Sequence, residues 1–394
     1  MTNLVRQGKR QTMQLGQEMA MDGIQEIKHH GASDSGRRGP SPSTEAVSKR
    51  NQLRQLSINP NHWYAVARSD EVGQRPHGVV LWQQPVVLYR DSQGQVQALA
   101  DRCPHRQVRL SQGQVNGDRL VCAYHGWQFD AAGACVHIPY LGEKQRLPNC
   151  GVRPYPVREQ DGFIWIFPGN TDAMASRGVA PLPLPEWDHL NYIVTVSVID
   201  VNAHYSFLIE NLMDMYHGHL HDDYQAWKDP ILKHLQATSE RVDAHYQAQS
   251  YYRIDKIWSV SQLFIPALRQ LHPEPLDVSY VYPNWVATLG QDFKICCLFC
   301  PVDLAHTRAY LLHFTSLHAF HRLHKLPVTF RRWLKTRLFG AAQPLLDGLV
   351  AQDVVMLEQE QQAFWADPQA QGPELNSALA AVQRLMRQQA ETVV

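Results

Sequence analysis

Residues 103–106 and 122–129 read Cys103-Pro-His-Arg106 and Cys122-Ala-Tyr-His-Gly-Trp-Gln-Phe129, with sixteen residues between His105 and Cys122. Each string sets a thiol and an imidazole one or two residues apart, so each loop can close one side of a metal centre. Thiolates with imidazoles suit tetrahedral zinc, or an iron–sulfur cluster in which two thiolates hold one iron and two imidazoles the other. Spacing alone leaves both open, although zinc sites rarely use so short a Cys-x-His pair.

Around the quartet, from His62 to Asn170, the chain runs in short β-branched and aromatic stretches such as Val79-Val-Leu-Trp82, Pro85-Val-Val-Leu-Tyr89 and Gly162-Phe-Ile-Trp-Ile-Phe167. Turn signals at Asp91-Ser-Gln-Gly94, Asn116-Gly117 and Ala132-Gly133 separate them. A small all-β domain over 56–170 is predicted. Beyond Pro181-Leu-Pro-Leu-Pro185, strand-like stretches at 192–201, 280–289, 294–302 and 308–315 alternate with helical ones at 205–217, 345–364 and 375–389. The fold class is therefore α+β, with a larger sheet-and-helix domain over 171–394. Residues 1–55 are rich in Gln, Gly, Ser and charge and predict a disordered tail. They lack the apolar core of a signal peptide, and Glu18, Asp22, Glu26 and Asp34 argue against a transit peptide.

Composition excludes several classes. Lys plus Arg and Asp plus Glu each number 37, so no net field holds a polyanion and nucleic acid is not an expected partner. No apolar run approaches the roughly 18–20 residues that span a bilayer. The 20 histidines are roughly double average usage and point to metal or proton chemistry. Seven cysteines, an odd number with Cys296, Cys297 and Cys300 crowded together, do not form a secreted disulfide framework and suggest a cytoplasmic protein. Those three read as core or pocket lining.

A second centre lies in Glu210-Asn-Leu-Met-Asp-Met-Tyr-His-Gly-His-Leu-His221. On a helix, Asn211, Asp214, His217 and His221 project together and His219 points away. Two histidines four residues apart can chelate one ion; with a carboxylate from elsewhere they form a facial triad that leaves positions open for dioxygen.

The two Cys-His strings, with Asn61-His-Trp-Tyr-Ala-Val-Ala67 before them and Gly162-Phe-Ile-Trp-Ile-Phe-Pro168 after them, resemble the N-terminal domain of Rieske non-haem iron oxygenases almost end to end. The resemblance implies a [2Fe–2S] cluster on Cys103, His105, Cys122 and His125. Residues 211–221 resemble the family's Asn-x2-Asp-x2-His-x4-His motif with one residue fewer before the last histidine. Three readings stand: His217 with His221, His217 with His219, or a degenerate iron site. Asp353, in Leu349-Val-Ala-Gln-Asp353-Val-Val-Met-Leu-Glu358, resembles the third ligand to mononuclear Fe(II), with Asp347 a nearby rival. At Asp214 the family has a carboxylate that bridges cluster and iron histidines across subunits of a homotrimer. A simple cap or a solvated side chain is the alternative.

The resemblance also implies a helix-grip catalytic domain, an external ferredoxin or flavin reductase, and dioxygen as co-substrate. It is strongest to the branch of vanillate and dicamba demethylases and pheophorbide and chlorophyllide oxygenases. Hydroxylation or oxidative demethylation of an organic substrate, aromatic or tetrapyrrole-like, is expected before ring dihydroxylation. Two other functions stay open: an electron carrier without its own oxygenase chemistry, and a lipid-binding protein using the helix-grip cavity. The acid-free segment 318–339, with six Lys or Arg residues among aromatics, is a candidate for docking the electron donor or touching an anionic membrane surface.

Overall fold

The structure is a computed structural model and describes residues 52–142, 145–224, 227–250, 271–290, 292–317, 325–370 and 372–392, all within one compact unit. The expected tail, apart from its last residues, lies outside them, as does most of the basic segment's side-chain detail.

Among the described residues the first part is all β. Strands β1 (Tyr64–Arg68), β2 (His77–Leu81), β3 (Gln84–Arg90), β4 (Val96–Ala100), β5 (Gln114–Asn116), β6 (Arg119–Val121), β7 (Gln128–Phe129), β8 (Cys135–His137), β9 (Val157–Gln160) and β10 (Phe163–Ile166) form three small sheets. Their orders are β1-β10-β9, β2-β3-β4 and β5-β6-β7-β8. Helix α1 (Thr171–Arg177) follows.

A seven-stranded antiparallel sheet comes next. It contains β11 (Tyr192–Val201), β12 (Trp227–Ala237), β13 (Arg241–Ser250), β14 (His272–Val281), β15 (Asn284–Leu289), β16 (Phe293–Pro301) and β17 (Thr307–Ser316), in the order β11-β17-β16-β15-β14-β13-β12. Helices α2 (Tyr205–Met213), α3 (Val328–Ala366) and α4 (Ser377–Glu391) complete it. The expected single strand over 280–289 is two, because the chain turns at Tyr282-Pro283.

The middle of β16 is apolar without alternation because both faces are covered. Cys297 and Phe299 join the core that includes α2 and α4, while Cys296 and Leu298 pack with Trp63, Ala65, Phe163 and Trp165 of the small β region. Cys296, Cys297 and Cys300 are thus core thiols, and burial pushes Cys296 and Cys300 up to about 12.

Leu53 and Arg54, counted with the tail on sequence, are buried. Arg54 Nη2 donates to Glu210 Oε2 at 2.5 Å, Nη1 to Ser206 Oγ at 2.6 Å, and the guanidinium lies 3.7 Å over the Phe207 ring. Gln383 Nε2 of α4 donates to the other Glu210 oxygen at 2.9 Å. This pair ties the start of the described chain and α4 to the helix that precedes the iron-type motif. Removing one partner of a buried pair strands the other, at a cost of about 3–5 kcal/mol. Arg54→Met is expected to destabilise by about that amount, and adding Glu210→Met to restore most of it, read from denaturant midpoints. A double variant no more stable than the single one would show that stranded charge is not the cause.

Candidate metal centres

The two Cys-His loops are built alike. Cys103 N donates to Val108 O (2.9 Å) and Gln107 N to Cys103 O (2.8 Å); Cys122 N donates to Trp127 O (2.9 Å) and Gly126 N to Cys122 O (3.0 Å). Each loop turns through a left-handed residue, Gln107 at φ 60° and Gly126 at φ 69°. At Gly126 a Cβ would also come within 2.9 Å of Pro139 Cγ.

Both thiols are buried, and the imidazoles of His105 and His125 face each other with centroids 4.5 Å apart. Trp127 stacks on His105 at 4.8 Å and donates through Nε1 to Tyr140 Oη at 2.8 Å. Nδ1 of both histidines is buried without a hydrogen-bond partner. Buried polar atoms are rarely left so. Burial raises Cys103 to about 11, a cost that metal binding to the thiolate removes. Two thiols and two unpaired ring nitrogens fit a cluster ligated by two cysteines and two histidines.

The second centre differs from the expected single helix face. Helix α2 starts at the cap His204, whose side chain accepts from Ser206 N, and ends at Met213. Asp214 leaves the helix (φ −92°, ψ 99°), and a 3-10 segment, Met215–Tyr224, carries both histidines, with non-helical dihedrals at His221. The break is local chemistry: Asp214 Oδ1 accepts from Tyr216 N at 3.0 Å and starts the new turn. The grouping nevertheless forms. His217, His221 and Asp353 bring their ligand atoms within 4.8 Å of one another, with Nε2 to Asp353 Oδ1 distances of 3.8 Å and 3.3 Å. His219 is exposed, and Asp347 bonds instead to Ser197 and Gln343.

Sequence reasoning set Asn211 on the motif face without giving it a role, and it missed Gln352 and Trp227. Gln352 Oε1 lies 3.1 Å from His221 Nδ1, and Asn211 Nδ2 donates to Asp353 Oδ1 at 3.2 Å. Trp227 packs on both imidazoles at 5.5 Å and donates from Nε1 to Met215 O at 2.7 Å. Gln352 directly precedes Asp353 in the chain and could have been suspected; Trp227 had no local signal. Burial holds His217 below the ordinary imidazole pKa. At His221 burial also pulls down, but the Asp353 carboxylate and Gln352 outweigh it and leave the group raised. Because an imidazole must be neutral to ligate, iron affinity is expected to fall as pH drops through the His221 pKa, checked by iron retention on dialysis across pH.

Gly218 makes the Trp227 packing possible. A Cβ there would come within 2.7 Å of Trp227 Nε1 and 2.9 Å of Trp227 O. Gly218→Ala is expected to displace Trp227 and weaken iron binding about 10–100-fold while leaving the cluster's visible spectrum unchanged. Unaltered iron affinity would show that the tryptophan does not hold the rings.

Residues 62–156 match the family described as Rieske [2Fe-2S] domain. The chain is 32% identical over 351 residues to 4beta-methylsterol monooxygenase of Methylococcus capsulatus, covering 86% of this chain and 90% of that protein. It is 40% identical over 158 residues to the oxygenase component of dicamba O-demethylase from Stenotrophomonas maltophilia, covering 40% of this chain and 46% of that one. The crystal structure of dicamba monooxygenase bound to 3,6-dichlorosalicylic acid superposes with a TM-score of 0.68 at 22% identity, over 86% of this chain and 98% of that one, and shows that the two share a fold. Among the described residues no helix is long and apolar enough to cross a membrane.

Proposed function

The chain belongs to the Rieske non-haem iron oxygenases, and on that footing we propose that it oxygenates a methyl carbon of an apolar polycyclic substrate of the sterol class. One observation carries the substrate class: the sequence similarity to 4beta-methylsterol monooxygenase runs through 86% of the chain, whereas that to dicamba O-demethylase stops at 40%. Its cofactors are a [2Fe–2S] cluster and a mononuclear iron. When bound, the cluster supplies electrons singly and the iron activates dioxygen.

In this reading Cys103, His105, Cys122 and His125 ligate the cluster, and His217, His221 and Asp353 ligate the iron. The buried unpaired Nδ1 atoms support the first set and the 4.8 Å grouping supports the second. Gln352 fixes the tautomer and angle of His221, Asn211 holds the Asp353 carboxylate, and Trp227 limits rotation of both rings. Asp214 is only partly buried, which suits a carboxylate that meets a cluster histidine of a neighbouring subunit in a homotrimer. A ferredoxin or flavin reductase would donate the electrons. The described cysteines are all free, which suits the cytoplasm.

The test uses holoenzyme with a reductase and a C4-methylated sterol. Expected are dioxygen uptake dependent on sterol and a product heavier by one oxygen atom at the methyl group; uptake indifferent to sterol would overturn the substrate class. Three irons per chain are expected, whereas two would favour an electron carrier without its own chemistry.

A further inference from the structure

On the helix-facing side of the large sheet, β11 and β17 pair Thr195 opposite His313 and Ser197 opposite Leu311, and β16 sets Ile295 beside His313 and Cys297 beside Leu311. Part of this face is polar. Ser197 Oγ donates to Asp347 Oδ1 at 2.7 Å, and Gln343 Nε2 donates to Asp347 Oδ1 at 2.7 Å and Ser197 Oγ at 3.1 Å. Three polar atoms there remain buried and unpaired: Thr195 Oγ1, His313 Nδ1 and Gln343 Oε1. Thr195 is 2% exposed. His313 is partly buried, and its Nδ1 has no hydrogen-bond partner.

Asp347 precedes Asp353 by six residues on α3, about 9 Å along the helix axis.

We infer that Thr195, His313 and Gln343 bind a hydroxyl group of the substrate, so that the enzyme selects a lipophilic alcohol. This rests on the substrate class proposed above. Gln343 has both amide hydrogens committed, so its Oε1 can only accept and the ligand must donate. A ketone cannot. Thr195 Oγ1 and His313 Nδ1 can each donate back to the hydroxyl oxygen. The His313 ring offers an anionic substrate no charge, because burial draws it down to about 4, and Asp347 lies on the same side.

The experiment measures equilibrium binding to holoenzyme of a C4-methylated sterol, the ketone made from its hydroxyl, and the hydrocarbon lacking that oxygen. The alcohol is expected to bind at least about 10-fold more tightly than either analogue. Thr195→Val and Gln343→Met are each expected to weaken the alcohol about 10-fold without moving the hydrocarbon. Equal binding of alcohol and hydrocarbon to the native protein, or variants that weaken both alike, would overturn the inference and assign these polar groups to ordered water or packing. Binding of none of the three would overturn the sterol class itself and this inference with it.

Discussion

His221→Ala is expected to lower the iron content from three per chain to two and abolish oxygenation, while the cluster's visible and EPR spectra stay unchanged. The motif alone permitted either His219 or His221. His219 is exposed, whereas His221 is fully buried with Nε2 3.3 Å from Asp353 Oδ1. With one of the three proposed protein ligands gone, His217 and Asp353 are expected to lose the ion. His219→Ala is the control and should keep three irons and full turnover. If His219→Ala empties the site and His221→Ala does not, the shortened spacing has been assigned to the wrong histidine.

The second large effect concerns Asp214, where a structural and an electronic role coincide. Its Oδ1 accepts from Tyr216 N and from Asn376 Nδ2 at 3.1 Å, so it caps the 3-10 turn and is held by the first residue before α4. Alanine would remove cap and charge together, at about 1 kcal/mol for the cap. Asp214→Asn keeps a capping oxygen and removes only the charge. If Asp214 bridges the two centres, the asparagine variant should bind three irons and accept electrons at the cluster. Substrate-dependent reoxidation of the cluster in a single turnover should then slow roughly 10–100-fold. Native reoxidation in Asp214→Asn with a loss of folding stability in Asp214→Ala would reduce the residue to a cap.

Much of this architecture was legible from the chain. Strand β11 was readable residue for residue because apolar side chains alternate along it, and β16 and β17 came within a residue or two at each end. Strands β12 and β13 were not anticipated: β12 is the sheet edge, largely exposed, and its polar sequence Trp227-Lys-Asp-Pro-Ile-Leu-Lys-His-Leu-Gln-Ala237 carries little periodic signal. The Cys-His quartet stood out because its four residues sit in two short strings. The iron-type trio was harder, since Asp353 lies 132 residues beyond His221 and needed the family resemblance. The helix break at Asp214 escaped because apolar spacing continues through it, while an aspartate's capping bond depends on backbone geometry that no periodicity encodes. Arg54 was misplaced for a related reason: an arginine in a polar stretch reads as solvated until its buried partner Glu210 is seen.

Helix α3 carries Gln343 and Asp347 at one place and Gln352 and Asp353 about two turns further on. On the roles proposed above, recognition and chemistry are mounted on one rod, so any substitution that shifts it disturbs both. Redesign toward other substrates should therefore leave α3 intact and vary the opposing wall, where Thr195, Ile295 and His313 belong to strands that carry no iron ligand. Libraries confined to those strands should retain full iron loading across most members, and libraries on α3 should lose it.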